Sequence, residues 1–266
     1  MRSPTPLVSA PMLAHLPALL AAAFVAGLVD SVVGGGGLIQ TPALFLLLPG
    51  ARVPEVLGTG KLASVSGTAA AAVTYARKVA LDWPVTLPAA ALATLFAFVG
   101  SRAASHLSRD AFRPFVLVML LVMAAYTLWK KDFGRLQHAA VPVRTRALVG
   151  AAVGASVGFY DGFFGPGSGS VLIFLFVGLA GLSFLRASAS AKIVNTATNV
   201  ASLAYFAAHG DVRYAVALPM AACNLAGGVV GARVALRRGA GFVRVLFLVI
   251  VAALLVKIGY DLIASR

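Results

Sequence analysis

Long apolar runs alternate with short polar punctuations along this chain. Uncharged stretches cover 3–29, 31–50, 62–76, 83–101 and 114–129, then 147–160, 162–185, 193–210, 214–232 and 245–256. Several reach the roughly 20 residues that carry an α-helix across a hydrocarbon core, and flanking or snorkelling side chains complete the shorter ones. Two segments, 38–48 and 171–182, follow glycine-rich breaks and are predicted as half-length helices. Eleven or twelve helical residues rise only ~16–18 Å, about half a bilayer.

The two breaks are copies of one another. Gly27 to Gly37 reads GLVDSVVGGGG, and 131 positions later Gly158 to Ser168 reads GFYDGFFGPGS. At the same offset Lys61 meets Lys192, Pro88 meets Pro219, Gly100 meets Gly231, Arg102 meets Arg233 and Arg113 meets Arg244. Matches of rarer residues without net insertion point to a duplication of a whole membrane unit. The expected organisation is a first repeat over 1–131, a linker over 132–146 and a second repeat over 147–266. Each repeat is read as a long helix broken at its glycine motif, a half-helix and three further helices. The fold class is therefore an all-α polytopic membrane protein of two homologous repeats, with about eight to ten membrane segments.

Composition agrees with that reading: 60% of the 266 residues are hydrophobic and 11% charged, with a mean hydropathy of +0.94. That is more apolar surface than a soluble domain of this length needs. The net charge of +14 sits in short loops rather than in a patch interleaved with aromatics, which argues against nucleic acid and for retention of loops on the cytoplasmic side. An inverted arrangement puts eleven basic residues on one face: Arg77, Lys78, Lys130, Lys131, Arg135, Arg144, Arg146, Arg233, Arg237, Arg238 and Arg244. The other face receives five, Arg102, Arg109, Arg113, Arg213 and Arg266, whereas parallel repeats divide the same residues nine against seven. The repeats are accordingly read as inverted, with the linker cytoplasmic and both termini outside. The 1–26 segment runs directly into the first glycine motif, so it is read as the first span rather than a signal peptide.

Glycine runs let the backbone leave the helix and bring N–H groups close to a ligand. Irregular backbone at membrane depth is tolerated where it lines a cavity or is buried in protein. The half-helices begin there, and their N-terminal amides favour an anion. The expected binding residues are Gly34, Gly35, Gly36, Gly37, Lys61 and Ser64 from the first repeat, and Gly165, Gly167, Ser168, Gly169, Lys192, Asn195 and Asn199 from the second. Ser31, Thr41 and Ser170 are further donors for a compact oxyanion, and Thr68 is the counterpart of Asn199. Asp30 and Asp161 lie in apolar surroundings where an ionised carboxylate needs a partner. They are expected to orient the lysines or to carry a coupled proton. The competing reading makes the glycines packing residues, the lysines interfacial anchors, the aspartates caps and the amides interhelical glue. Arg102 and Arg233, at helix ends, read as anchors.

The strings GLVDSVVGGGGLIQTP (27–42), GTGKLAS (58–64) and GFYDGFFGPGSG (158–169) resemble the sulfite exporter TauE/SafE family of bacterial inner-membrane permeases. The first two are nearest the permeases of that family without an assigned cargo. The resemblance implies a transporter of small anions, often sulfur-containing oxyanions or organosulfonates. A serine protease has little support, since Pro166 stands two residues before Ser168 and the histidines (His15, His106, His138, His209) fall mainly near helix ends or loops. No His, Asp, Glu or Cys cluster suggests a metal, and the lone Cys223 excludes an internal disulfide. The expectation is thus a non-enzymatic carrier without cofactor or metal, whose partners are a small anion and the bilayer, with self-association left open. A passive anion pore is the alternative, and a membrane scaffold without transport the third reading.

Overall fold

A computed structural model describes residues 10–48, 50–108 and 141–238, with side chains from His15 onward. The uncharged runs at 114–129 and 245–256, most of the expected linker, and His138 lie outside the described residues. Among the described residues the chain is all-helical: α1 (Ala10–Val33), α2 (Gly37–Leu47), α3 (Val53–Ala76), α4 (Trp83–Ser105), α5 (Val143–Phe163), α6 (Ser168–Gly178), α7 (Phe184–Ala208) and α8 (Tyr214–Arg238). Helix α5 starts inside the expected 132–146 linker. His15–Val33, Trp83–Ser105 and Tyr214–Arg238 are long and apolar enough to cross a membrane.

The half-helices form where the glycine breaks place them. Gly34 (φ +81°) and Gly165 (φ +95°), 131 residues apart, turn the chain out of α1 and α5 in the left-handed region that L side chains disfavour. A Cβ on Gly34 would also meet Gly169 backbone closer than 3.0 Å. Helices α2 and α6 each hold 11 residues, ~16 Å of rise. Their bounds match at the 131 offset. Helix α6 begins at Ser168 rather than near 171, because the φ of +82° at Gly167 already ends the break.

Small residues set the helix contacts. Gly150, Gly154, Gly158 and Gly162 on α5 face Val85, Ala89, Ala93 and Ala97 on α4; a Cβ at any of these glycines would come closer than 3.0 Å to α4 backbone. Both series rise by four, so α4 and α5 run side by side in the same direction. Such small-xxx-small seams let backbones approach where lipid removes the hydrophobic drive for association. Gly27, Gly227 and Gly231 form the corresponding seam between α1 and α8. Helices α3 and α7 cross in opposite directions: Gly58 lies against Phe206 and Asp211, Thr68 against Asn199, and Ala71 and Tyr75 cluster with Ala189. Thr68 and Asn199 are equivalent positions at the 131 offset, so each helix meets its counterpart at that crossing.

Candidate functional site

The two breaks, the starts of both half-helices and the middle of the α3–α7 crossing enclose one cavity. Asp30, Gly34, Gly37, Gln40, Thr41, Gly60, Lys61, Ser64 and Thr68 line it from one side of the chain; Asp161, Gly165, Pro166, Gly167, Ser168, Asn195 and Asn199 line it from the other, with Val56, Leu57 and Phe164. Its volume, counted as space open to water centres, is about 40 Å³, against the ~10–15 Å³ that holds one water on that measure.

Each buried lysine is held by the aspartate of the other break. Lys61 Nζ on α3 donates to Asp161 O at 2.8 Å and lies 3.2 Å from Asp161 Oδ2. Lys192 Nζ on α7 donates to Asp30 O and to Asp30 Oδ2 at 3.0 Å. The two pairs exchange under the 131 offset. They are not equal in access, since the Lys192 side chain is 0% exposed and that of Lys61 8%. Lys61 lines the cavity and Lys192 does not. An ammonium has three donors; Lys61 Nζ makes one hydrogen bond, to Asp161 O, and the buried Asp161 Oδ2 beside it accepts none.

The neighbouring polar groups hold these carboxylates and amides in place. Ser168, first residue of α6, donates to Asp161 Oδ1 at 2.7 Å. Gly36 N approaches Asp30 Oδ1 at 3.4 Å, a weaker contact from the residue before the one that matches Ser168. Asn199 Nδ2 reaches Thr68 Oγ1 at 3.5 Å. Asn195 directs its Oδ1 toward Ser168 and Thr198, each at 3.5 Å. Gln40 on α2 donates to Gly60 O at 2.8 Å and Ser64 Oγ at 3.0 Å, and its Oε1 accepts from Asn224 Nδ2 at 2.9 Å. A buried amide so fully satisfied fixes the half-helix against α3 and α8.

Of the sequence-expected residues, Gly34, Gly37, Lys61, Ser64, Gly165, Gly167, Ser168, Asn195, Asn199, Asp30 and Asp161 line the cavity. Gly35, Gly36, Gly169 and Lys192 do not. Of the extra donors, Thr41 lines it, whereas Ser31 Oγ donates to Leu28 O at 2.8 Å and Ser170 Oγ to Val33 O at 2.7 Å. Sequence reasoning missed Gln40 and Asn224 as a linked pair. The available signal was a carboxamide inside each of two uncharged runs, where lipid supplies no partner.

The sulfite exporter TauE/SafE family model matches residues 19–258, nearly the whole chain. The chain belongs to this family. It is 36% identical over 251 residues to the probable membrane transporter protein ORF9 of Sinorhizobium sp, covering 93% of this chain and 94% of that one. It is 32% identical to a probable membrane transporter protein of Haemophilus influenzae, over 92% of this chain and 95% of that one. It is also 30% identical to the probable membrane transporter protein YfcA of Escherichia coli K12, over 92% of this chain and 90% of that one. No solved structure matches the chain.

Proposed function

We propose that this TauE/SafE-family protein is a secondary transporter that exports a small anion, a sulfur-containing oxyanion or organosulfonate, by alternating access between two inverted repeats. The observation that carries the reading is the cavity itself. It joins two glycine breaks, the first residues of two half-helices and the accessible ammonium of Lys61. Broken helices in corresponding halves of a membrane chain form midplane sites of this kind in secondary transporters. The positive ends of two half-helix dipoles and the Lys61 ammonium at the cavity wall suit an anion. The relatives' names support transport in general, and the family's name a sulfur oxyanion.

Inversion is supported by the antiparallel crossing of α3 and α7 at equivalent residues. A two-fold axis perpendicular to both helices lies in the membrane plane and turns one repeat upside down relative to the other. Together with the basic loops, this favours a cytoplasmic linker, termini on the outside and a multi-pass protein of the bacterial inner membrane. Lys61 is assigned to the anion, Lys192 with Asp30 to holding the opposite break, and Asp161 to orienting Lys61.

The test is flux in proteoliposomes with sulfite, thiosulfate, sulfoacetate, taurine, phosphate and short carboxylates offered separately. Saturable, gradient-driven flux of one sulfur anion, lost in Lys61→Met, is the expected result. Flux that rises linearly with concentration would assign a pore instead, and absence of flux for every anion would overturn the transporter reading.

A further inference from the structure

Four charged side chains outside the cavity tie the start of α3 to the loop before α8. Glu55 accepts from Arg213 at 2.9 and 2.7 Å and from Arg52 Nε at 2.7 Å. Arg52 also reaches Asp211 Oδ1 at 2.7 Å. Under the 131 offset Glu55 corresponds to Arg186, and Arg213 to Asp82. Both signs are reversed, so the corresponding pair is again attractive.

That second pair is not formed here. Asp82 caps α4 through Val85 N and bonds Arg146 Nη1, while Arg186 is exposed. Among the described residues Arg186 has no ion-pair partner. Yet the local register puts its position at the same end of the α4–α7 contact as Asp82. Thr86 Oγ1 donates to Ser190 Oγ at 2.7 Å, and Val85 and Ala89 share a cluster with Ala187 and Ala191. Helices α4 and α7 therefore run in parallel there, and Asp82 and Arg186 each stand four residues, one turn, before the Thr86–Ser190 contact.

We infer that Arg186 and Asp82 form the closing ion pair of the opposite-facing state, alternating with Glu55–Arg213. This rests on the inverted-repeat transporter reading, in which the two repeats exchange conformations between states. Asp82 then changes partner from Arg146 to Arg186. Glu55 releases Arg213 but keeps Arg52, so neither carboxylate is left bare in either state. Arg186 is thereby a positioning residue of the transport cycle.

The test is cross-linking of the full chain in membranes in a Cys223→Ser background, Cys223 being the one cysteine present. Glu55→Cys/Arg213→Cys cross-links with a short bis-maleimide in the state described. Asp82→Cys/Arg186→Cys cross-links in a smaller fraction, and adding Glu55→Gln raises that yield about fivefold or more, the scale of an ordinary coupling between two sites. No Asp82–Arg186 cross-link, or a yield indifferent to Glu55→Gln, overturns the inference. If Asp82→Cys disturbs the α4 cap, Arg186→Cys alone serves. Its labelling by a hydrophilic thiol reagent slows when Glu55→Gln is added, and equal labelling overturns the inference. The readout needs no cargo, so its failure is distinct from a failure of flux.

Discussion

Replacing Lys61 by Met removes one member of an ion pair whose side chains are 8% and 3% exposed. At the observed 3.2 Å and an effective dielectric of ~20, the lost attraction is about 5 kcal/mol. Measurements on buried pairs cut on one side give ~3–5 kcal/mol, because the surviving charge stays buried without compensation. Asp161 would be that charge, with Ser168 on Oδ1 as its remaining side-chain donor. Asp161→Asn alone leaves the mirror problem at Lys61. The double variant Lys61→Met/Asp161→Asn removes both charges and keeps an oxygen for Ser168, so it regains most of the loss. The assay is thermal unfolding of the purified protein in one detergent, with flux measured on the same variants. Each single variant is expected to melt well below the parent and the double close to it, while the double remains transport-dead because the ammonium proposed to bind the anion is gone. A double variant no more stable than either single would refute the claim that these two groups compensate one another.

Two further outcomes follow from packing and from amide satisfaction. Gly162→Ala drives a methyl group into the Ala97 carbonyl on α4. Overpacking of this kind costs about 1–3 kcal/mol, so a lower melting temperature is expected, and an unchanged one in size-exclusion melts would contradict the tight α4–α5 seam. Gln40→Leu removes the bonds to Gly60, Ser64 and Asn224. The partners left behind cost about 1–3 kcal/mol, and because Gln40 also lines the cavity, anion affinity should fall in proteoliposome flux while a Gln40→Asn variant regains part of it.

Much of the site was legible because its constraints are local. A backbone that must leave a helix inside lipid needs glycine, and the equivalent Gly34 and Gly165 take the positive φ that the glycine runs predicted. The half-length segments announced themselves by length, and an aspartate and a lysine in each apolar setting announced a polar centre. The sequence alone could not say which aspartate meets which lysine, since the partners are 100 and 162 residues apart. Nor could it tell the two lysines apart. They occupy the same position in two copies of one pattern, and only the packing of α1, α3, α7 and the two breaks leaves Lys61 at the cavity and closes over Lys192. The same limit hid the Gln40–Asn224 bond, where each amide's need for a partner was local but the partner was not. Periodicity, break residues and the cost of charge in lipid are properties of short stretches, so the chain itself determined its helices, its breaks and its ionisable centre. Pairing and access depend on how distant helices cross, and those only the tertiary structure decided.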